Sequence, residues 1–366
     1  MKVISPDYER CLTNLSNSLL NYYGLKTSHN TLPLVDEWLS KREYQNVVLM
    51  IYDGMGSKIL DRTLKEDSFL RKNKKDDILA VFPPTTTAST TSLLSGLNPN
   101  EHGWLGWDLY FKKVDEVVTM FTNHIKDSDM SIQEDSIAEE TFPYENIIDR
   151  IGTKVNAVGL FPFKETFYEE LEEMHDMIVD ICNNGKKNFI YAYYDDPDHI
   201  EHLTGTKSKE NIKEYKRLDK ATKELSKKLK DTLLIVIADH GHLDSKCITL
   251  REYADIYNLL ERDVSIEPRA CSFKLKDGLQ NRFKQTFESL FSKDFTLYSK
   301  DEIIKEQLFG TGKNNPHFEE SIGDFIAIAK SDKYFRLNEN GKIFKSTHAG
   351  LTEDEMLVPC IIIDCK

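Results

Sequence analysis

Residues 47–56 read VVLMIYDGMG, a run without a charge until Asp53, which opens a turn of two glycines around Met55. A strand half-exposed to water alternates apolar and polar residues. One covered on both faces is apolar at nearly every position, as here. The same design recurs twice. Residues 189–194 (FIYAYY) lead into Asp195-Asp196-Pro197-Asp198-His199-Ile200-Glu201-His202, and residues 233–238 (LLIVIA) lead into Asp239-His240-Gly241-His242. Further short runs are 78–82 (ILAVF), 155–161 (VNAVGLF) and 358–363 (VPCIII).

Helical spacing fills the gaps. Residues 166–182 repeat Phe167, Leu171, Met174, Ile178 and Ile181 before Gly185, and residues 211–229 repeat Ile212, Tyr215, Leu218 and Leu225. Alternating strands and helices predict an α/β fold: a mostly parallel central sheet with helices on both faces. From 243 to 345 the chain turns polar, with helical patterns at 279–291 and 302–309 and one apolar run at 325–329. We expect a catalytic core from residues 1–242 and 346–366. Residues 243–345 are expected to form a smaller inserted α+β subdomain that flanks or caps the site, with a peripheral extension as the alternative.

The chain has 366 residues, enough for one large domain or a core with an insertion. Its 48 lysines and arginines against 61 acidic residues leave a net charge of −13. That balance argues against a nucleic-acid polymer as partner, because such binding depends on cations that neutralise phosphates. A local phosphate site built on metal ions is still compatible with it. No stretch reaches the roughly 18 apolar residues of a membrane span, and no signal-peptide pattern opens the chain. Six scattered cysteines without CxxC spacing suit thiols in a reducing compartment, so a cytoplasmic protein is expected.

In a parallel sheet, ligands collect at the carboxyl ends of the strands. There Asp53, Asp198, Asp239, His202 and His240 would crowd together, with His348 of Thr347-His348-Ala349-Gly350 just before the last apolar run. Each residue alone could cap a helix or form a turn. Together, like charges at one edge call for a cation. Carboxylate oxygens mixed with imidazole nitrogens suit zinc or manganese better than calcium. After residues 78–82 comes Pro83-Pro84-Thr85-Thr86-Thr87-Ala88-Ser89-Thr90-Thr91-Ser92, where a helix is expected to begin. A helix N-terminus seats phosphate, and one of these hydroxyls could be a metal-activated nucleophile.

Five stretches in this order resemble the type I phosphodiesterase/nucleotide pyrophosphatase family of the alkaline phosphatase superfamily. They are VLMIYDGMG (48–56), FPPTTTASTTSLLSGLNPNEHGWLGW (82–107), YYDDPDHIEHLTG (193–205), VIADHGH (236–242) and STHAGLTEDEMLVPCII (346–362). The resemblance implies two divalent ions, usually zinc, and a threonine nucleophile. Asp53, Asp239, His240 and the Thr86 hydroxyl would hold one ion, and Asp198, His202 and His348 the other. The family's nucleophile lies ten residues before the glycine that here is Gly96, which points to Thr86, with Thr85 and Thr87 as the competing assignments. Asp195, Asp196, His199 and His242 lie beside ligand positions and match none.

The implied activity is hydrolysis of a small phosphodiester or nucleotide-like substrate through a phospho-threonine. Where the family carries an asparagine against a phosphoryl oxygen, this chain has Trp107, with Trp104 nearby. Phe161 and Phe163 follow the third strand, where the family places part of its substrate pocket. These four are the candidate substrate contacts. The alternatives are a phosphomonoesterase or phosphonate hydrolase of the same superfamily, or a non-catalytic metal- and phosphate-binding protein.

Overall fold

Strand β1 (Asn46–Tyr52) has all seven residues buried, as its unbroken apolar run requires. It lies inside a six-stranded sheet with β2 (Lys74–Leu79), β3 (Asn156–Leu160), β4 (Asn188–Tyr194), β5 (Thr232–Ile237) and β6 (Leu357–Cys365), in the order β2-β6-β5-β1-β4-β3. β1 pairs parallel with β4 and β5, and β3 pairs parallel with β4. β6 runs antiparallel to both neighbours, β5 and β2. This computed structural model describes residues 1–132, 135–163, 166–337 and 343–366.

Helices pack around the sheet in two groups. Leu171–Cys182 meets Lys209–Lys228, while Leu12–Tyr22 meets α1 (Thr86–Ser95) and Ile147–Gly152. The first of these helices starts at Leu171, five residues later than the apolar spacing suggests, because Glu170 forms a capping box with Glu173 there. β2 covers 74–79 rather than 78–82. It is an edge strand that tolerates the polar KKDD stretch, and Pro83 and Pro84 cannot extend it.

A second, seven-stranded sheet joins segments from both sides of the expected domain boundary. Its order is Phe295–Ser299, Phe325–Ala329, Ala270–Phe273, Ser265–Ile266, Asp108–Phe111, Glu116–Thr119 and His124–Ile125. Ile266 pairs with Asp108, so the 243–345 stretch shares its sheet with residues 108–125. It still has a packing centre of its own in Phe273, Phe283, Phe287, Phe291, Phe295 and Phe335. Among the described residues, no helix is long and apolar enough to cross a membrane.

Candidate active site

Three parallel strands deliver the acids. Tyr52 of β1 is in register with Tyr194 of β4, and Ile51 with Ile237 of β5, so Asp53 leaves the sheet beside both other acidic loops. The loops are tied together: Asp53 N–H donates to Tyr194 O at 2.9 Å, and Asp198 N–H to Asp53 O at 3.0 Å. Gly54 N–H donates to Asp239 Oδ1 at 3.1 Å. Only glycine suits position 54, where φ is 73° and a Cβ would lie 2.9 Å from Asp198 Cα. Gly241 is as confined, since a Cβ there would lie 2.1 Å from Asp354 O.

The other two contributions follow from topology. The antiparallel β6 starts at the edge where the parallel strands end, which brings the preceding His348 to the same edge. β2 hands over to the Pro83-Pro84 loop and α1, whose first residue is Thr86. Thr86 Oγ1 lies 3.3 Å from Asp53 Oδ2 and 3.2 Å from His240 Nε2. Thr85, the residue before α1, does not cap it. Its hydroxyl donates to Glu267 Oε1 at 2.5 Å, which leaves the first helical N–H groups without a side-chain cap. Thr87 is buried and its hydroxyl has no partner.

Asp53, Asp198 and His240 form one ligand group, and Asp198, His202, His242 and His348 another; in each, one ligand atom per residue lies within 4.8 Å of the others. Asp239 stands behind the first group, with Oδ2 3.7 Å from His240 Nε2. These residues fit a cation on two counts. Buried Asp53 Oδ1 and Asp239 Oδ2 have no hydrogen-bond partner, which is costly for a carboxylate unless a metal takes the place of one. In addition, His202 Nδ1 faces Ser346 O at 2.9 Å, His348 Nδ1 faces Pro84 O at 3.2 Å, and His240 Nδ1 faces Gly241 O at 3.2 Å. A carbonyl only accepts, so each Nδ1 carries a proton, and Nε2 is the ring nitrogen that faces the acids and can ligate a metal.

The electrostatics express the same crowding. Burial, then the charge of Asp198, raises the Asp53 carboxyl well above its usual range. Burial, then Asp53, does the same to Asp239. Burial also pushes Asp198 upward, but His202, His242 and His348 outweigh it and hold that carboxyl well below its usual range. Burial, then His240 and His242, depresses His348 far below the ordinary imidazole value.

The four aromatic candidates separate. Trp104 is 5% exposed and its indole N–H donates to Phe142 O at 2.9 Å, so it is held in core packing. Trp107 is 42% exposed and packs edge-on to Phe121. Phe161 is half-buried against Tyr191, whereas Phe163 is 64% exposed and 6.1 Å from the ring of Tyr193. The Tyr193 hydroxyl in turn donates to Asp53 Oδ2. Asp195 and His199 are exposed and stand outside both ligand groups.

Three residues stand at the site that the sequence does not assign to it: His242, matched there to no ligand position, Tyr193 and Glu267. His242 belongs to the imidazole group, and the apolar run before DHGH was the signal that could have found it. Tyr193 was read as strand core. Glu267, 160 residues from Trp107, accepts both the Thr85 hydroxyl and Trp107 N–H, the latter at 2.8 Å. No local pattern marks it.

A family model described as type I phosphodiesterase/nucleotide pyrophosphatase matches residues 47–352. No curated protein matches the chain in sequence. Among solved structures, murine ectonucleotide pyrophosphatase/phosphodiesterase 5 superposes with a TM-score of 0.64 at 17% identity, covering 86% of this chain and 87% of that one. An inactive threonine-to-alanine variant of that murine protein, in complex with AMP, matches equally. Phosphonoacetate hydrolase from Sinorhizobium meliloti 1021, in complex with phosphonoformate, gives 0.63 at 16% identity, covering 88% and 92%.

Proposed function

Since this chain belongs to the type I phosphodiesterase/nucleotide pyrophosphatase family, we propose that it is a two-metal phosphodiesterase acting through a phospho-threonine on Thr86. The observation that carries this is the placement of the Thr86 hydroxyl beside Asp53 and His240, next to two buried carboxylate oxygens without partners. Asp53, Asp239, His240 and Thr86 would hold one divalent ion, and Asp198, His202 and His348 the other, with zinc favoured over manganese by the imidazole share. When bound, such ions supply a lowered pKa for a hydroxyl or water and positive charge for the phosphoryl oxygens.

The protein's own groups supply the alignment. The uncapped start of α1 offers N–H groups and the positive end of a helix dipole to the phosphoryl group. Thr86 Oγ1 gives up its proton to solvent and bonds to phosphorus as the P–O bond to the leaving group breaks, and the leaving oxygen takes up a proton from solvent to depart as an alcohol or nucleotide. Water then breaks the phospho-threonine bond and restores the hydroxyl. Tyr193 fixes the Asp53 carboxylate, and the Nδ1 bonds of His202, His240 and His348 fix their rings.

The substrate is proposed to be a small phosphodiester or nucleotide-like molecule whose second ester group lies against Trp107 and Phe163. Both rings are exposed. Arg269, a cation that could have served a dianionic monoester, is spent on Glu355, with Nε–Oε1 at 2.6 Å and Nη2–Oε2 at 2.9 Å. Six free cysteines, five of them buried, support the reading of a cytoplasmic enzyme. The test is turnover of a bis-aryl phosphate with added zinc or manganese. Activity that chelator abolishes and Thr86→Ala lacks supports the reading. No turnover despite bound metal would favour a non-catalytic binding protein.

A further inference from the structure

Four imidazoles, not three, turn a nitrogen toward one oxygen of Asp198. His202 Nε2 lies 3.4 Å from Asp198 Oδ1, His348 Nε2 3.9 Å and His240 Nε2 4.0 Å. His242 Nε2 is closer to that oxygen than any of them, at contact distance. Its side chain is fully buried, so no solvent can substitute for a missing partner. The ring also packs against its neighbours, with centroids 4.7 Å from His202 and 5.0 Å from His348.

The other ring nitrogen decides what His242 offers. Its Nδ1 lies 3.1 Å from Ser346 Oγ. The Ser346 hydroxyl proton is already donated to Glu201 O at 2.7 Å, since a carbonyl can only accept. Ser346 Oγ therefore has only lone pairs to turn toward His242, and Nδ1 must be the protonated nitrogen. The Glu201 side chain adds to this. Its buried Oε2 has no hydrogen-bond partner and lies 4.0 Å from the same Nδ1. Carboxylate or hydroxyl contacts on the far side of an imidazole fix its tautomer and raise the basicity of the facing nitrogen. In a neutral ring, Nε2 then presents a lone pair to the lone pairs of Asp198 Oδ1. A metal ion ligated by both atoms satisfies that arrangement, and the two residues already share one ligand group with His202 and His348.

We infer that His242 is a fourth protein ligand of the centre formed by Asp198, His202 and His348. This rests on the two-metal reading above. It goes beyond the ligand set implied by family resemblance, in which the position after the DHG sequence has no metal role. One carboxylate and three imidazoles complete a tetrahedral set for zinc. A centre closed by four protein ligands keeps no open position at that coordination number. The two centres are therefore unequal. The imidazole-rich ion is tightly held and slow to exchange, whereas the other centre has three fixed ligands, Asp53, Asp239 and His240, and its fourth position is held by the reacting Thr86 hydroxyl.

The deciding measurement is the zinc-loaded wild-type protein in a crystal, with ions located by anomalous scattering at the zinc edge. The expected result places His242 Nε2 at about 2.1 Å from zinc. As a solution measurement, zinc release to a competing chelator is followed for wild type and His242→Gln. Loss of an outer-shell partner costs about 10–100-fold in metal affinity. Loss of a ligand is expected to exceed that range at the imidazole centre, with the other centre unchanged. Zinc in both centres, with His242 more than about 3 Å away and bonded to Asp198, overturns the inference and leaves the two-metal reading intact. Zinc in neither centre overturns both. If His242→Gln does not fold, the wild-type distance still decides.

Discussion

The Thr86 hydroxyl oxygen stands 3.2 Å from His240 Nε2, so the first side chain of α1 reaches into the turn that follows β5. Thr85, one residue earlier, points its hydroxyl to Glu267 instead. Thr86→Ala is therefore expected to cut turnover of a bis-aryl phosphate by several orders of magnitude while metal content stays near wild type. Thr86→Ser should keep part of the activity. Burst kinetics and metal analysis of the three proteins check this. A dead Thr85→Ala beside a near-normal Thr86→Ala would move the nucleophile by one residue.

Buried Asp239 has one oxygen held by Gly54 N–H and the other without a partner. Asp239→Asn is expected to fold but lose metal at the centre shared with Asp53 and His240. Wild-type protein should hold close to two ions per chain. Zinc at about 100 times its dissociation constant should stabilise the wild type by about 3 kcal/mol per site and the variant by about half the total. Thermal melts with and without chelator measure it; equal shifts in both proteins would remove Asp239 from the ligand set.

Exposed Trp107, with Arg269 committed to Glu355, predicts that a diester of an aryl alcohol is hydrolysed with higher kcat/KM than its monoester. Trp107→Ala should lower the diester value by about fivefold or more, from the loss of roughly 1 kcal/mol of stacking, and leave the monoester value nearly unchanged. Saturating metal is used for both substrates. A faster monoester in the wild type would refute the preference without touching the nucleophile.

Burial raises the Glu267 carboxyl to about 7, although the Thr85 hydroxyl and Trp107 N–H pull it down. A carboxyl whose pKa is raised by folding stabilises the fold while it is protonated. That contribution is complete below the unfolded-state value and is lost as pH rises through about 7. Between about pH 4.5 and 7 the wild type should lose about 3 kcal/mol relative to Glu267→Gln, whose profile lacks this component. Urea titrations of both proteins across that window test it; parallel profiles would show that Glu267 is not buried as a neutral acid.

What was legible in the sequence was whatever rests on local apolar pattern. β1, β4 and β5 read directly because strands covered on both faces have no alternation to confuse; β1 and β5 lead into Asp53 and Asp239, and β4 into the loop that carries Asp198. The edge strand β2 was misplaced because four of its six residues are charged and only one side is paired. The strands at 108–125 went unread for a similar reason, being two to four residues long. Their pairing with Ser265–Ile266 depends on a contact across more than 150 residues. His242 and Glu267 belong to the same class. Their roles come from what faces them in space, Asp198 and Ser346 for one, Thr85 and Trp107 for the other.

The final strand, β6, lies between β5 and β2 in the interior of the sheet. Until it arrives, β5 and β2 each present an open hydrogen-bonding edge, and His348 has no scaffold. During synthesis the edges that β5 and β2 turn toward β6 therefore stay unprotected until Leu357–Cys365 has emerged from the ribosome. Such edges recruit strands from other chains. Premature termination or trimming within β6 is expected to produce aggregation and not a partly active enzyme.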